Sequence, residues 1–198
     1  MQEQELVKQL QEGDRNAFDQ LYLLYSPQAY RTAYFLTGSR ADAEDVVQET
    51  FVQVWLFIRQ LKDSSGFRSW FYRILTRMAF RKGSAGKREI PDADVALLAD
   101  RGSEGDSLSD LLLKEERERI RRAVDSLDEK HRAVIVLYYF NEFSTKEIAG
   151  ITGSLEGTVK SRLFAARRKL QKSLRDHTDP AGSSGDTDIN RFWKGSSI

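Results

Sequence analysis

Apolar residues recur at helical spacing along almost all of this 198-residue chain, and the period-two alternation of half-buried strands is scarce. That pattern confines the chain to an all-α fold. It fails in one internal stretch, residues 83–106, where Gly, Ser, Pro and Asp accumulate. The sequence therefore predicts two small helical domains, 1–82 and 107–175, joined by a flexible linker at 83–106. Residues 176–198, again rich in Gly, Ser and Asp, are expected to form a disordered tail in which Phe192 and Trp193 could anchor a short contact.

The formal net charge of +1 conceals strong segregation. Residues 66–88 hold seven bases and no acid, and residues 155–175 hold seven bases against Glu156 alone. Between them, residues 89–110 carry seven acids and a single base, Arg101. Two basic blocks flanking an acidic linker suit two modules that contact a polyanion, although any one charge run also suits a plain solvated helix face. With no Cys, the chain has no disulfide, thiolate metal site or cysteine nucleophile, and His131 and His177 lie too far apart to suggest zinc. Neither a metal nor another cofactor is expected. The N-terminus lacks the apolar core of a signal peptide, and no run approaches the roughly 18 apolar residues of a membrane span, so a cytoplasmic location without membrane insertion is expected.

Local signals divide the runs into helices. Asp14 reads as an N-cap for a helix with a buried stripe of Phe18, Leu21, Tyr22 and Tyr25, and Ser26–Pro27 reads as the cap and first residue of the next helix. Gly38 reads as a stop and Ser39, with Asp42, as a capping box. The third helix buries Val47, Phe51, Val54, Trp55 and Ile58, which leaves Asp45, Gln48, Glu49 and Val52 on a polar, acidic face. After a short loop at 61–66, a fourth helix has Trp70, Phe71, Ile74, Leu75 and Met78 inward and a stripe of Arg73, Arg77 and Arg81 recurring every four residues.

Beyond the linker, Ser107 and Asp128 read as caps of two helices ending near Leu127 and Phe140, and Ser144 with Glu147 as another capping box. Gly153 ends that short helix, and Ser154 reads as the cap of the last one, whose buried stripe is Val159, Leu163, Ala166 and Leu170. Lys160, Ser161, Phe164, Arg167 and Arg168 fall elsewhere on its circumference. A short helix, a tight turn and a longer helix with a basic face form a helix-turn-helix, whose second helix can lie in a DNA major groove. The spacing alone leaves open a helical hairpin with solubilising charges.

Four stretches, "GDRNAFDQLYLLY", "ADAEDVVQETFVQVW", "FRSWFYRI" and "STKEIAGITGSLEGTVKSRLFAARRKL", together resemble the extracytoplasmic-function (ECF) sigma factors of bacterial RNA polymerase, of the sigma-70 family, in order and separation. The resemblance covers about 12–82 and 111–174. It implies a transcription initiation factor that gives the polymerase promoter specificity, not an enzyme, with no small-molecule substrate. Its implied partners are the polymerase core, promoter DNA and an anti-sigma factor, in this family commonly membrane-anchored.

The resemblance makes Asp45, Gln48, Glu49 and Val52 core-polymerase contacts. It makes the 61–66 loop and the helix after it the minus-ten element, with Ser64, Phe67, Arg68, Trp70, Arg73, Arg77 and Arg81 as candidates, since stacking faces and cations suit an unstacked strand. Most of the aromatics in this stretch suit a core better than a DNA contact. Relatives carry Asn and Asp near Arg77 and Arg81, so their minus-ten sequence is a poor guide here. The last helix would read the minus-thirty-five element with Glu156, Thr158, Lys160, Ser161, Arg162, Phe164, Arg167 and Arg168, where Glu156 could accept from cytosine N4. Thr152, Ser154 and Leu155 depart from the family's apolar, apolar and proline residues. The acidic linker would thread the polymerase's RNA-exit channel. Read from the residues alone, a stand-alone helix-turn-helix regulator remains the alternative.

Overall fold

A computed structural model describes residues 2–83 and 119–175; the expected linker, the Ser107 cap and the C-terminal tail lie outside them. The described residues are helical and contain no strand. The N-terminal unit consists of α1 (Gln2–Glu12), α2 (Arg15–Thr37), α3 (Arg40–Phe57) and α4 (Phe67–Gly83), with single 3₁₀ turns at Ile58–Gln60 and Ser64–Gly66. The C-terminal unit consists of helical residues 119–125 (α5), α6 (Glu129–Ile135), a π-helical turn (Val136–Phe140), α7 (Thr145–Thr152) and α8 (Glu156–Arg175).

Capping chemistry fixes most of these boundaries. Asp14 accepts the Asn16 N–H, Ser39 accepts the Asp42 N–H, and Gly38 sits at φ 76° with its N–H on the Tyr34 carbonyl. Glycine meets that left-handed requirement without a Cβ clash. Ser144 and Glu147 form the reciprocal capping box, and Gly153, at φ 63°, closes α7.

Two boundaries differ from the sequence reading. Ser26 and Pro27 do not start a helix, because α2 runs unbroken through Pro27. An interior proline costs about 3 kcal/mol, but here Leu21, Tyr25, Ala29, Thr32, Ala33 and Leu36 form one buried face on both sides of it. Packing of that continuous face outweighs the local penalty, and Pro27 itself faces solvent. Ser154 does not cap α8 either. The Val159 N–H bonds to the Leu155 carbonyl, so Leu155 holds the cap position, while Ser154 Oγ accepts from Arg162 Nη1 at 2.9 Å.

The N-terminal core is aromatic. Phe67 and Phe71 are fully buried against Tyr25, with ring centroids 5.3 and 4.9 Å away, and Phe51 packs on Phe71 at 5.2 Å. Of the expected inward residues, Tyr22 and Trp55 remain about 40% exposed although both stack on core rings. The C-terminal core gathers Ile120, Val124, Leu127, Val134, Leu137 and Ile148 around the α8 stripe of Val159, Leu163, Ala166 and Leu170, continued by Leu174.

The two units also touch. Arg121 donates to the Tyr34 hydroxyl at 2.9 Å, and buried Arg132 donates to the Leu36 carbonyl at 3.1 Å. The π-turn lies between them: the Asn141 N–H bonds to the Val136 carbonyl and the Phe143 N–H to that of Leu137, and Glu142 is forced to a left-handed φ of 55°.

Candidate nucleic-acid and partner interface

On α3, Ala43, Val46, Val47, Thr50, Phe51 and Val54 bury one side of the helix. Positions 45, 48, 49 and 52, spaced i, i+3, i+4 and i+7, therefore form a strip on the opposite side. Asp45, Gln48, Glu49 and Val52 are all exposed there. The strip continues into exposed Trp55 and Leu56, so it is acidic at one end and apolar at the other. Lys82, from the end of α4, places Nζ 2.7 Å from Asp45 Oδ2. The hydrogen bond to Asp45 and then the field of Asp45, Glu49 and Asp42 hold the lysine pKa above its ordinary value.

The loop ahead of α4 is fixed at both ends. Gln11 Nε2 on α1 donates to the carbonyls of Ile58 and Leu61 at 3.2 and 2.6 Å. Asp63 accepts the N–H and Oγ of Ser65, and these bonds hold its carboxyl below the usual range. Ser64 is half-buried on the adjoining turn. Phe67 is 0% exposed, which makes it a core residue of this conformation with no free face for a base. Trp70 is half-buried beside it at 6.1 Å.

The arginines of α4 are exposed but divided in their engagements. Arg68 bonds the Asn141 carbonyl, and Arg73 gives both Nε and Nη2 to the Gly150 carbonyl at 2.8 and 2.6 Å. Arg77 and Arg81 line an open cleft with Thr76, Phe80, Thr152 and Gly153. Burial pushes the Tyr72 phenol up to about 12, so it stays protonated beside Arg68.

On α8, Lys160, Ser161, Phe164 and Arg168 face outward, Phe164 at 64% and neighbouring Leu155 at 80% exposure. Thr158 and Arg162 are half-buried. Glu156 is engaged by Thr145 Oγ1 at 2.8 Å and Lys160 Nζ at 2.9 Å, and the Lys160 bond is the largest influence holding its carboxyl below the ordinary value. Its donors lie on α7 and on its own helix, so it ties the two helices of the motif together. Arg167 is half-buried: Nε donates to the Tyr139 hydroxyl at 2.7 Å and the guanidinium lies 5.4 Å from the Tyr138 and Tyr139 rings. It anchors α8 to the π-turn.

The structure also uses residues that sequence reasoning passed over. Gln28, Thr32 and Asn141 form a polar cluster between the units, with Gln28 Nε2 on the Phe140 carbonyl at 2.9 Å and Thr32 Oγ1 on Asn141 Oδ1 at 3.2 Å. A polar residue on an otherwise apolar helical stripe, as Thr32 is in α2, is the signal that could have pointed there. Among the described residues no cluster of three or more His, Cys, Asp or Glu could hold a metal, and no helix is long and apolar enough to cross a membrane.

Known proteins share both halves of this arrangement. Residues 21–85 match the family described as Sigma-70 region 2, and residues 117–170 match Sigma-70, region 4. The chain is 32% identical to the ECF RNA polymerase sigma factor SigW of Bacillus subtilis (strain 168), over 86% of this chain and 95% of that one. Its fold resembles CnrH, solved in complex with the cytosolic domain of CnrY, with a TM-score of 0.68 and 25% identity, over 89% of this chain and 99% of that one. It also resembles the sigma factor RpoE from Bartonella quintana, solved with the anti-sigma factor NepR, with a TM-score of 0.60 and 26% identity, over 81% and 98% of the two chains. Helical units in the same order, both family regions and a relative matched along nearly its full length converge on one assignment: the chain belongs to the ECF sigma factors of RNA polymerase, within the sigma-70 family.

Proposed function

We propose that this sigma factor works through three surfaces, in domains bounded near 1–82 and 107–175 and joined by residues 83–106. The strip of Asp45, Gln48, Glu49 and Val52 on α3 docks on core RNA polymerase. The α4 surface, with Ser64, Arg68, Trp70, Arg73, Arg77 and Arg81, holds the opened minus-ten strand, and Phe67 supports it from the core. On α8, Thr158, Lys160, Ser161, Phe164 and Arg168 meet the minus-thirty-five duplex, while Glu156, Arg162 and Arg167 fix the helix that presents them. The observation that carries the reading is the pairing of an exposed acidic strip on α3 with exposed basic faces on α4 and α8. Acid faces protein and base faces nucleic acid, as electrostatic complementarity requires.

The factor acts in the cytoplasm and contributes binding, not bond chemistry. An anti-sigma protein restrains it; the solved complexes of CnrH with CnrY and of RpoE with NepR support this. A stand-alone regulator is not favoured, because this chain matches both sigma regions and is 32% identical to a sigma factor over 95% of that protein's length. In vitro transcription with core polymerase tests the reading. Glu49→Lys should weaken core binding at least tenfold without lowering the melting temperature. Lys160→Ala should weaken promoter binding and reduce its salt dependence by about one unit of log–log slope. Absence of promoter-dependent stimulation from a library of upstream sequences would refute the assignment.

A further inference from the structure

The tip of α8 is apolar where much of its outer face is basic. Leu155, at the cap position, is 80% exposed, the most open large apolar side chain among the described residues. Its carbonyl accepts the Val159 N–H, so the backbone is held against the first turn while the side chain stands in water. Neither feature favours the fold. A solvated leucine gains nothing from burial, and it has no oxygen with which to cap a helix, at a position where Ser, Thr, Asp and Asn are strongly preferred.

The polar groups around that tip are engaged within the protein. Ser154 Oγ accepts from Arg162 at 2.9 Å, and Glu156 is held between Thr145 and Lys160 at 2.8 and 2.9 Å. Ser161 donates its hydroxyl to the Thr158 carbonyl at 3.0 Å. At Gly157 nothing lies within 4 Å of where a Cβ would stand, so the surface beside the tip is open to a close approach. With the Glu156 carboxylate closed in, the branched methyl end of Leu155 is the group left to meet an incoming surface.

The charge around Leu155 selects what that surface is. Lys160 and Arg168 are exposed on the same helix, and residues 155–175 hold seven bases against one acid. An apolar patch on another protein would have to sit beside that excess of cations without neutralising it. DNA neutralises it with phosphates and, in its major groove, also presents one apolar group, the C5 methyl of thymine. Residues at the N-terminal end of a recognition helix are the ones that reach base edges.

We propose that Leu155 is a specificity-determining residue of the minus-thirty-five contact: its methyl groups pack on the C5 methyl of a thymine, so one position of the element is read by apolar contact. The assignment rests on the DNA-reading role of α8 given above. Uracil lacks that methyl group and is otherwise identical on its groove edge, and burying one such group corresponds to about a fourfold preference for thymine.

The test uses holoenzyme assembled from the full chain and core polymerase, on promoters that it selects from a randomised upstream library. Each thymine of the minus-thirty-five region, on either strand, is replaced singly by deoxyuridine, and affinities are compared with the parent duplex. At one position the wild-type holoenzyme should bind the uracil duplex about fourfold more weakly. Leu155→Ala should bind both duplexes alike at that position and keep the wild-type ratio at every other thymine, including any that Phe164 meets. Leu155→Met, still apolar, should retain the preference. Leu155→Ser separates reading from folding: it supplies a capping oxygen, so the preference should vanish with no fall in melting temperature.

Identical thymine-to-uracil ratios in wild type and Leu155→Ala at every position would overturn the proposal, as would selected elements that lack thymine. A loss in Leu155→Ala spread equally over all duplexes would also overturn it, since that is the mark of a structural role. Failure of the DNA-reading role itself has a different signature: Lys160→Ala would leave promoter affinity and its salt dependence unchanged.

Discussion

Asp128 serves three partners with one carboxylate. It caps α6 by accepting the His131 N–H, its oxygens meet His131 Nδ1 at 2.6 Å, and Lys169 on α8 approaches to 2.9 Å. Burial opposes its ionisation, but hydrogen bonds from Lys169 and His131 more than offset that and hold the carboxyl well below its usual range. A depressed folded-state pKa means the stabilisation is complete above the unfolded value, about 4, and fades as pH falls toward the folded one. Asp128→Asn keeps a capping oxygen and removes the charge. It should lower the melting temperature at pH 7, with the gap to wild type narrowing below about pH 4 in a thermal-unfolding series. Arg132 makes the opposite kind of contribution: it is 7% exposed and donates to the carbonyls of Leu36, Val124, Asp125 and Leu127. Arg132→Met strands several buried acceptors at once and should cost about 2–4 kcal/mol in denaturant unfolding.

The element most exposed to a single change is the turn between α7 and α8. Gly153 holds φ at 63° with nothing within 4 Å of where a Cβ would stand, so Gly153→Ala is penalised by conformation, not by collision. The expected loss is about 1 kcal/mol, and a larger fall in calorimetry would point to a contact the turn does not have. Glu147→Ala removes one arm of the capping box and should cost a similar ~1 kcal/mol. These elements are legible in the sequence because their signals are local: Gly153, Ser144 with Glu147, and Asp128 each act within a few residues. Pro27 misleads because burial along the whole of α2 overrides it. Ser154 misleads because Arg162, two turns away, claims its hydroxyl. The outward residues of α3 and α8 follow from periodicity, but the inward use of Phe67 and Arg167 depends on Tyr25 and Tyr139, which lie far off in the chain.

At the scale of the molecule, charge is sorted by surface, and the near-neutral total says little about behaviour near DNA. Holoenzyme binding to promoter DNA should fall steeply and log-linearly with salt, with a slope set by the phosphates contacted. The Glu49→Lys protein, once forced onto core at high concentration, should keep the same slope, as the proposed docking of α3 on protein requires. A filter-binding titration in which that slope changed would place α3 on the DNA. The π-turn at Val136–Phe140 carries a further consequence for how such a chain can vary. Each residue of an α-helix rotates the chain about the helix axis by about 100°. Removing one residue there would let the wide turn tighten into regular helix and swing α7 and α8 by a comparable angle, carrying Lys160 and Phe164 round the axis of α6. On the role proposed for α8, a change in the length of the turn should lower promoter binding more than a conservative substitution at half-buried Tyr138 within it.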